Sequence, residues 1–185
     1  MLTVRPYEER DKKAVQDLCI LNAGGPGKSL ERIRYTLNMY CNYYIEQEPD
    51  NCFVAVDEDD SAAAYVISTE DYGRYSETYK AVYMPQARAL GYKQGFMARF
   101  DMLSHWLYRK EYPAHLHIDV DPRYHRQGAG TLLLDKLFEH LRGKGVEGIM
   151  LVCGADNTQA CNFYKKNGFT ELRVAKEGAF FGIKL

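Results

Sequence analysis

Apolar positions along this chain follow two rhythms. Residues 2–7 (LTVRPY) alternate apolar and polar side chains, the two-residue period of a strand. Over 8–22, Ala14, Val15, Leu18, Cys19 and Leu21 recur at helical spacing, and the AGGPG run at 23–27 then breaks the pattern. Ser29 stands where a helix N-cap would, but Arg32 occupies the place a capping box gives to Glu or Gln, so that box is incomplete. Leu30, Ile33, Leu37, Tyr40, Cys41, Tyr44 and Ile45 predict one long amphipathic helix ending near Glu48 and Pro49. Residues 52–69 hold two apolar runs around the polar DEDDS, which predicts a hairpin.

The segment 71–113 reads differently. It carries Tyr72, Tyr75, Tyr79, Tyr83 and Tyr92, and FMARFDMLSHWLY predicts a helix over 95–108. It is too long for a structureless loop. The final third is the most legible: HLHIDV is a strand, DPRYHRQGAG a turn that opens a helix, and TLLLDKLFEHLRGKG that helix with its glycine stop at 143–145. GIMLVC follows as a buried strand, then a helix over 157–167 closed by Gly168, then the strands FTELRVA and AFFGIKL. No linker or repeat interrupts this order. It predicts a single α/β domain over 1–185 with a mixed sheet and a helical, Tyr-rich insertion at 71–113.

Composition narrows the function classes. At 185 residues and 46% hydrophobic, the chain has enough apolar material for a sizeable core. Lys and Arg total 24 against 25 Asp and Glu, a formal charge of -1, so the basic surplus that coats nucleic acid is missing, while a small local anion site stays open. No apolar run approaches the roughly 20 residues that cross a bilayer. MLTVRPYEERD is charged by its fifth residue and has neither the apolar core of a secretory signal nor a Gly after Met for myristoylation. A cytoplasmic protein without membrane or nucleic-acid partners is expected. The five Cys are odd in number and form no CxxC pair, which argues against a disulfide framework, a structural zinc site and a redox role. Cys153 and Cys161 read as small buried hydrophobes.

Candidate chemistry gathers at Asp121-Pro122-Arg123-Tyr124-His125-Arg126-Gln127-Gly128-Ala129-Gly130. A strand-to-helix junction leaves backbone N–H groups unpaired at the positive end of the helix dipole. Glycine lets a ligand approach the backbone, and Arg123 and Arg126 add charge, so the turn suits a pyrophosphate. A dinucleotide fingerprint would need a third glycine where Leu133 stands, and the G-K-[ST] of a P-loop is missing. Taken alone, the GAG would equally be a tight turn before an ordinary helix.

Three matches in order make the chain resemble the GNAT superfamily of acyl-CoA N-acyltransferases. VDPRYHRQGAGTLL resembles the family's V-x-P-x-x-[QR]-x-x-G-x-G/A signature for coenzyme A, with His125 where Gln or Arg is usual. GIMLVCGADNTQA resembles the following strand and its Asn-containing turn, and AxxFYKKNGF at 160–169 the family's Tyr-bearing helix. The likeness covers about residues 114–172. LHID, the RQGAG turn and the DN and FY pairs also resemble the acetyltransferase-like domain of the O-GlcNAcase type.

The resemblance implies a mixed, mostly antiparallel sheet of about seven strands, helices on both faces, and a splay between the two central strands. It implies acetyl-CoA as cosubstrate, no metal, and transfer to an amine of a small molecule or protein, in a monomer or homodimer. A non-catalytic acyl-CoA-binding module of the same fold is the alternative. Ile118, Val120, His125, Arg126, Gln127, Gly128, Ala129, Gly130, Thr131, Asn157, Phe163 and Tyr164 would hold the cofactor. A backbone N–H of the strand 115–120 would polarise the thioester carbonyl, and Tyr164 would act as general acid.

For the base, His115, His117 and Asp119 alternate on one strand face; Asp119 leads and His117 is second. Glu70 and Asp71 are candidates for a cationic acceptor, or simply a solvated strand end. The tyrosines of 72–96 with the first two helices are expected to enclose the acceptor, or else to be core.

Overall fold

The two rhythms become seven strands and eight α-helices in the computed structural model, which describes residues 2–25, 27–176 and 178–185; Pro26 of the AGGPG break lies outside them. In chain order these are β1 (Thr3–Pro6), α1 (Lys12–Asn22), α2 (Leu30–Tyr40), α3 (Asn42–Gln47), β2 (Cys52–Val56) and β3 (Ala62–Thr69). Then come α4 (Tyr72–Thr78), α5 (Met84–Leu90), α6 (Tyr92–Trp106), β4 (Ala114–Val120), α7 (Ala129–Gly143), β5 (Gly148–Cys153), α8 (Thr158–Lys166), β6 (Thr170–Ala175) and β7 (Gly178–Lys184). All strands form one sheet in the order β1-β2-β3-β4-β5-β7-β6. Among its pairs only β4–β5 is parallel.

The parallel pair is short, and that opens the sheet. β3 pairs with β4 from Thr69↔His115 through Ala64↔Val120. β4 meets β5 only at Ala114↔Ile149 and His115↔Met150. Beyond His115 the two central strands part, as the resemblance implied.

Alternation along β4 serves two cores. Leu116, Ile118 and Val120 face α7, whose Leu133, Leu134, Leu137 and Leu141 pack on Phe53, Val66, Leu151 and Phe181. His115, His117 and Asp119 face the layer of α1 to α6, where Val15, Leu18, Val54, Tyr65 and Ile67 join a group of tyrosines. In that layer the Tyr75 ring lies 4.5 Å from His115 and 4.7 Å from Tyr43.

The structure departs from four expectations. The long helix after Ser29 is two helices, broken at buried Cys41 (φ −139°, ψ −63°). Tyr43, Tyr44 and Ile45 are consecutive and all buried, because α3 lies between the sheet and the Tyr-rich segment and is covered from both sides. In α2 the buried face is Tyr35, Thr36, Asn38 and Met39, whereas Leu30 is 74% exposed. Asn38 sets that face: its amide donates to the Tyr83 carbonyl (3.1 Å) and its Oδ1 accepts from the Tyr79 hydroxyl (2.8 Å).

The third departure concerns Tyr72, Tyr75, Tyr79 and Tyr83, which are core rather than the lining of an acceptor chamber. Between α4 and α5 the helix widens into a π turn (Tyr79–Tyr83) just before Pro85. Proline has no N–H and its ring crowds the carbonyl four residues back, and the wider turn relieves both. The helix expected over 95–108 runs instead over Tyr92–Trp106. No helix among the described residues is long and apolar enough to cross a membrane.

Candidate active site

The strand-to-helix junction is built by local ties. The Asp121 carboxylate accepts from the Arg123 N–H (2.9 Å) and pairs with its guanidinium (2.7 Å), closing the single turn Pro122–Tyr124. Arg123 is thus held by Asp121 and does not line the cleft below it. The Tyr124 hydroxyl donates to Asp57 (2.9 Å), which anchors the junction to the β2–β3 hairpin. His125 Nε2 donates to the Val120 carbonyl (3.1 Å). The unusual residue in the signature therefore ties the turn back to β4.

Arg126 (φ +63°) and Gly128 (φ +86°) are both left-handed, a conformation that costs a non-glycine residue such as Arg126 about 1 kcal/mol or more. They swing the chain into α7, which no side chain caps. The first helical bond runs from the Leu132 N–H to the Gly128 carbonyl (3.1 Å). The N–H groups of Gly128, Ala129, Gly130 and Thr131 have no partner among the described residues. They sit at the positive end of a 15-residue helix, a ready anion site.

The two glycines do different work. A Cβ on Gly128 would meet nothing within 4 Å, so its surroundings are open to a ligand. A Cβ on Gly130 would come within 2.8 Å of the Phe163 ring, so Gly130 is there for α7 to pack against α8.

Below the turn lies a cleft of about 550 Å³, in the gap where β4 leaves β5. Its walls include Ile118, Asp119 and Val120 of β4; His125, Arg126, Gly128, Ala129, Gly130 and Thr131; and Asn157, Phe163 and Tyr164. The Asp121 N–H bonds the Ala63 carbonyl, so antiparallel alternation turns the N–H groups of Ile118 and Val120 away from β3, into the gap. Asn157 caps α8, its Oδ1 accepting from the Ala160 N–H (3.0 Å), and also lines the cleft. Gln127 does not line it; its side chain donates to the Arg123 carbonyl (3.0 Å).

Tyr164 is buried among Phe163, Phe169 and Phe181, with ring centroids 5.3 to 5.6 Å apart. Its hydroxyl has no hydrogen-bond partner among the described residues, and burial raises its pKa well above that of free tyrosine. Asp119 accepts a hydrogen bond from Tyr65. Burial pushes its carboxyl up to about 7, against the opposing pull of that bond. That carboxyl therefore changes charge near neutrality.

His117 stands one register step away but does not line the cleft. Its Nε2 meets the Tyr44 hydroxyl (3.0 Å), which also meets His115 Nε2 (2.9 Å), and Tyr40 packs on its ring. Burial lowers His117 to about 3 and His115 well below its ordinary value, so both are neutral. Glu70 is paired with Arg74 and Lys144, and Asp71 caps α4, which accounts for both without an acceptor.

Cys153 and Cys161 are partly rather than fully buried, pack against the core beside α7, and place their sulfurs 3.8 Å apart. Burial and the second thiol push Cys153 up to about 12, which leaves it a poor nucleophile. Asn22 at the end of α1 and Gln159, Asn162 and Lys166 of α8 also line the cleft. Their polar spacing on α8 was the available signal, and it is indistinguishable from a solvated face. No cluster of metal-binding side chains occurs among the described residues.

Comparison with known proteins places this geometry. The model of the acetyltransferase (GNAT) family matches residues 25–169. The [ribosomal protein bS18]-alanine N-acetyltransferase of Escherichia coli is 39% identical over 59 residues, 32% of this chain and 40% of that protein. An uncharacterized N-acetyltransferase of Methanocaldococcus jannaschii is 39% identical over 59 residues, 32% of this chain and 26% of that protein. The match thus spans less than half the length of either relative. The crystal structure of SsHAT superposes with a TM-score of 0.89 at 26% identity, over 99% of this chain and 98% of that one. The PaiA N-acetyltransferase of Thermoplasma acidophilum, solved with coenzyme A, shares the fold at a TM-score of 0.61 and 13% identity, over 100% and 99% of the two chains. The narrower likeness to the O-GlcNAcase type rests on sequence alone.

Proposed function

The chain belongs to the acetyltransferase (GNAT) family, and from that premise we propose that it transfers an acetyl group from acetyl-CoA to a primary amine by direct attack on the thioester. The observation that carries this reading is the row of unpartnered N–H groups from Gly128 to Thr131 above an open splay. Those amides and Arg126 would hold the diphosphate. Ile118 and Val120 would flank the pantetheine arm, and Asn157, Phe163 and Tyr164 would close the other wall. Bound acetyl-CoA supplies the activated acyl group; the chain supplies geometry and proton transfers.

An N–H of Ile118 or Val120, facing the gap, would donate to the carbonyl oxygen as negative charge develops there. Asp119 would accept the proton that the amine nitrogen sheds as the C–N bond forms. Tyr164 would donate its phenolic proton to the sulfur as the C–S bond breaks. A buried phenol with a raised pKa keeps its proton until a thiolate forms beside it. This assigns the base to Asp119 rather than His117, whose ring is engaged by Tyr44 outside the cleft.

The test is release of free coenzyme A thiol from acetyl-CoA across a panel of small amines and peptide N-termini, with the enzyme's own five Cys as background. Turnover with at least one class supports the transferase. Tight acetyl-CoA binding with no thiol release from any of them favours the binding module.

A further inference from the structure

The outer face of α6 carries an apolar stripe that its own fold does not use. Gly95, Ala98, Met102 and His105 are buried inward. Phe96, Phe100, Leu103 and Leu107 recur at i, i+4, i+7 and i+11 on the other side, with Trp106 beside them. Phe96 is 58% exposed, Leu103 50% and Trp106 44%. Between this stripe and α4–α5 runs a groove of about 630 Å³, floored by Tyr72, Met84 and Met102. It shares no lining residue with the acetyl-CoA cleft. Its charged lining is of one sign: Lys80, Arg88 and Arg99, all exposed, with no acidic residue in the lining. None of the three forms an ion pair among the described residues.

We infer that this groove docks an amphipathic helical segment of a partner protein, its apolar ridge flanked by acidic residues. An apolar floor rimmed by unpaired cations is complementary to such a helix in both shape and charge. A second copy of this chain fits poorly, because a two-fold axis through the groove sets the same three cations against each other. A flat anionic membrane fits poorly as well, because the apolar floor is concave.

Trp106 is the chain's one tryptophan, so its emission reports on the groove. The experiment titrates the protein with a synthetic helical peptide bearing Leu at i, i+4 and i+7 and Glu on both flanks, and with the same peptide carrying Lys for Glu. The expected result is a saturable blue shift with the Glu peptide only. Added salt weakens it, and the exposed-site double variant Lys80→Glu with Arg99→Glu weakens it on the order of tenfold at unchanged melting temperature. No shift, or an equal shift with the Lys peptide, overturns the inference. So does concentration-dependent dimerisation that moves Trp106 emission without peptide. A shift with phosphatidylserine vesicles but not with the Glu peptide overturns it in favour of a membrane. All readouts are independent of acetyl transfer.

Discussion

The Tyr65 hydroxyl donates a hydrogen bond to the Asp119 carboxylate directly across the β3–β4 pair, where the two residues are register partners. Tyr65 is wholly buried, so it fixes the carboxylate at the wall of the splay while burial holds that carboxyl near pH 7. If Asp119 is the base, kcat/KM rises with pH through about 7 and then levels. Asp119→Asn removes that limb. Tyr65→Phe deletes a bond that favours the charged form, and so moves the limb to higher pH. A pH–rate profile that is the same in all three proteins removes Asp119 from the reaction.

The same carboxyl and the two neutral histidines set opposite stability slopes. Folded Asp119 keeps its proton to about pH 7 while the unfolded chain loses it near 4, so its contribution is present at low pH and is lost as pH rises between those values. His115 and His117 are held below their ordinary value when folded. Their contribution is present above about 6.5 and is lost as pH falls below it, where the unfolded chain takes up protons. Imidazole NMR signals of both residues are expected to stay unshifted from pH 8 to pH 5, and Asp119→Asn is expected to flatten the loss of stability above pH 4. Histidine signals that titrate near 6.5 would contradict the first expectation.

Tyr164→Phe keeps the ring that packs on Phe163, Phe169 and Phe181 and removes only the hydroxyl. We expect kcat to fall on the order of 10²-fold with melting temperature and acetyl-CoA affinity nearly unchanged. Steady-state kinetics alongside calorimetry distinguish this from a packing role, in which stability falls and kcat holds.

Gly128→Ala and Gly130→Ala separate ligand approach from helix packing. At Gly130 the new methyl meets the Phe163 ring at 2.8 Å, so overpacking should cost about 1–3 kcal/mol and lower the melting temperature. At Gly128 the methyl meets no protein atom, and only the left-handed backbone is penalised, by about 1 kcal/mol. Its larger effect should be a raised KM for acetyl-CoA, because the methyl stands where the diphosphate would lie. Thermal melts and KM values for both variants check the contrast.

How far the site was legible depends on how local its physics is. The β4–turn–α7 unit shows itself because left-handed glycine, strand alternation and helical spacing all act within one continuous stretch, 114–143. Ser29 as the N-cap of α2 and the stop at Gly168 are equally local. The break at Cys41 is not, because it depends on a second layer over α3 that no spacing in 30–48 records. Nor could periodicity say that His117 belongs to Tyr44 while its strand neighbour Asp119 belongs to the cleft. The alternation that sets both on one face is blind to where the strands part. Arg123 shows the same limit. Its charge is visible in sequence, but its capture by Asp121 two residues earlier appears only in the folded turn.

Main-chain amides at the start of α7 are proposed to grip a diphosphate. Amide NMR of the ¹⁵N-labelled protein titrated with acetyl-CoA tests this directly. Large, saturable shifts are expected for the amides of Gly128, Ala129, Gly130 and Thr131, which acetyl-pantetheine, lacking the diphosphate, does not reproduce. Saturation by acetyl-CoA that leaves those four signals in place would contradict it.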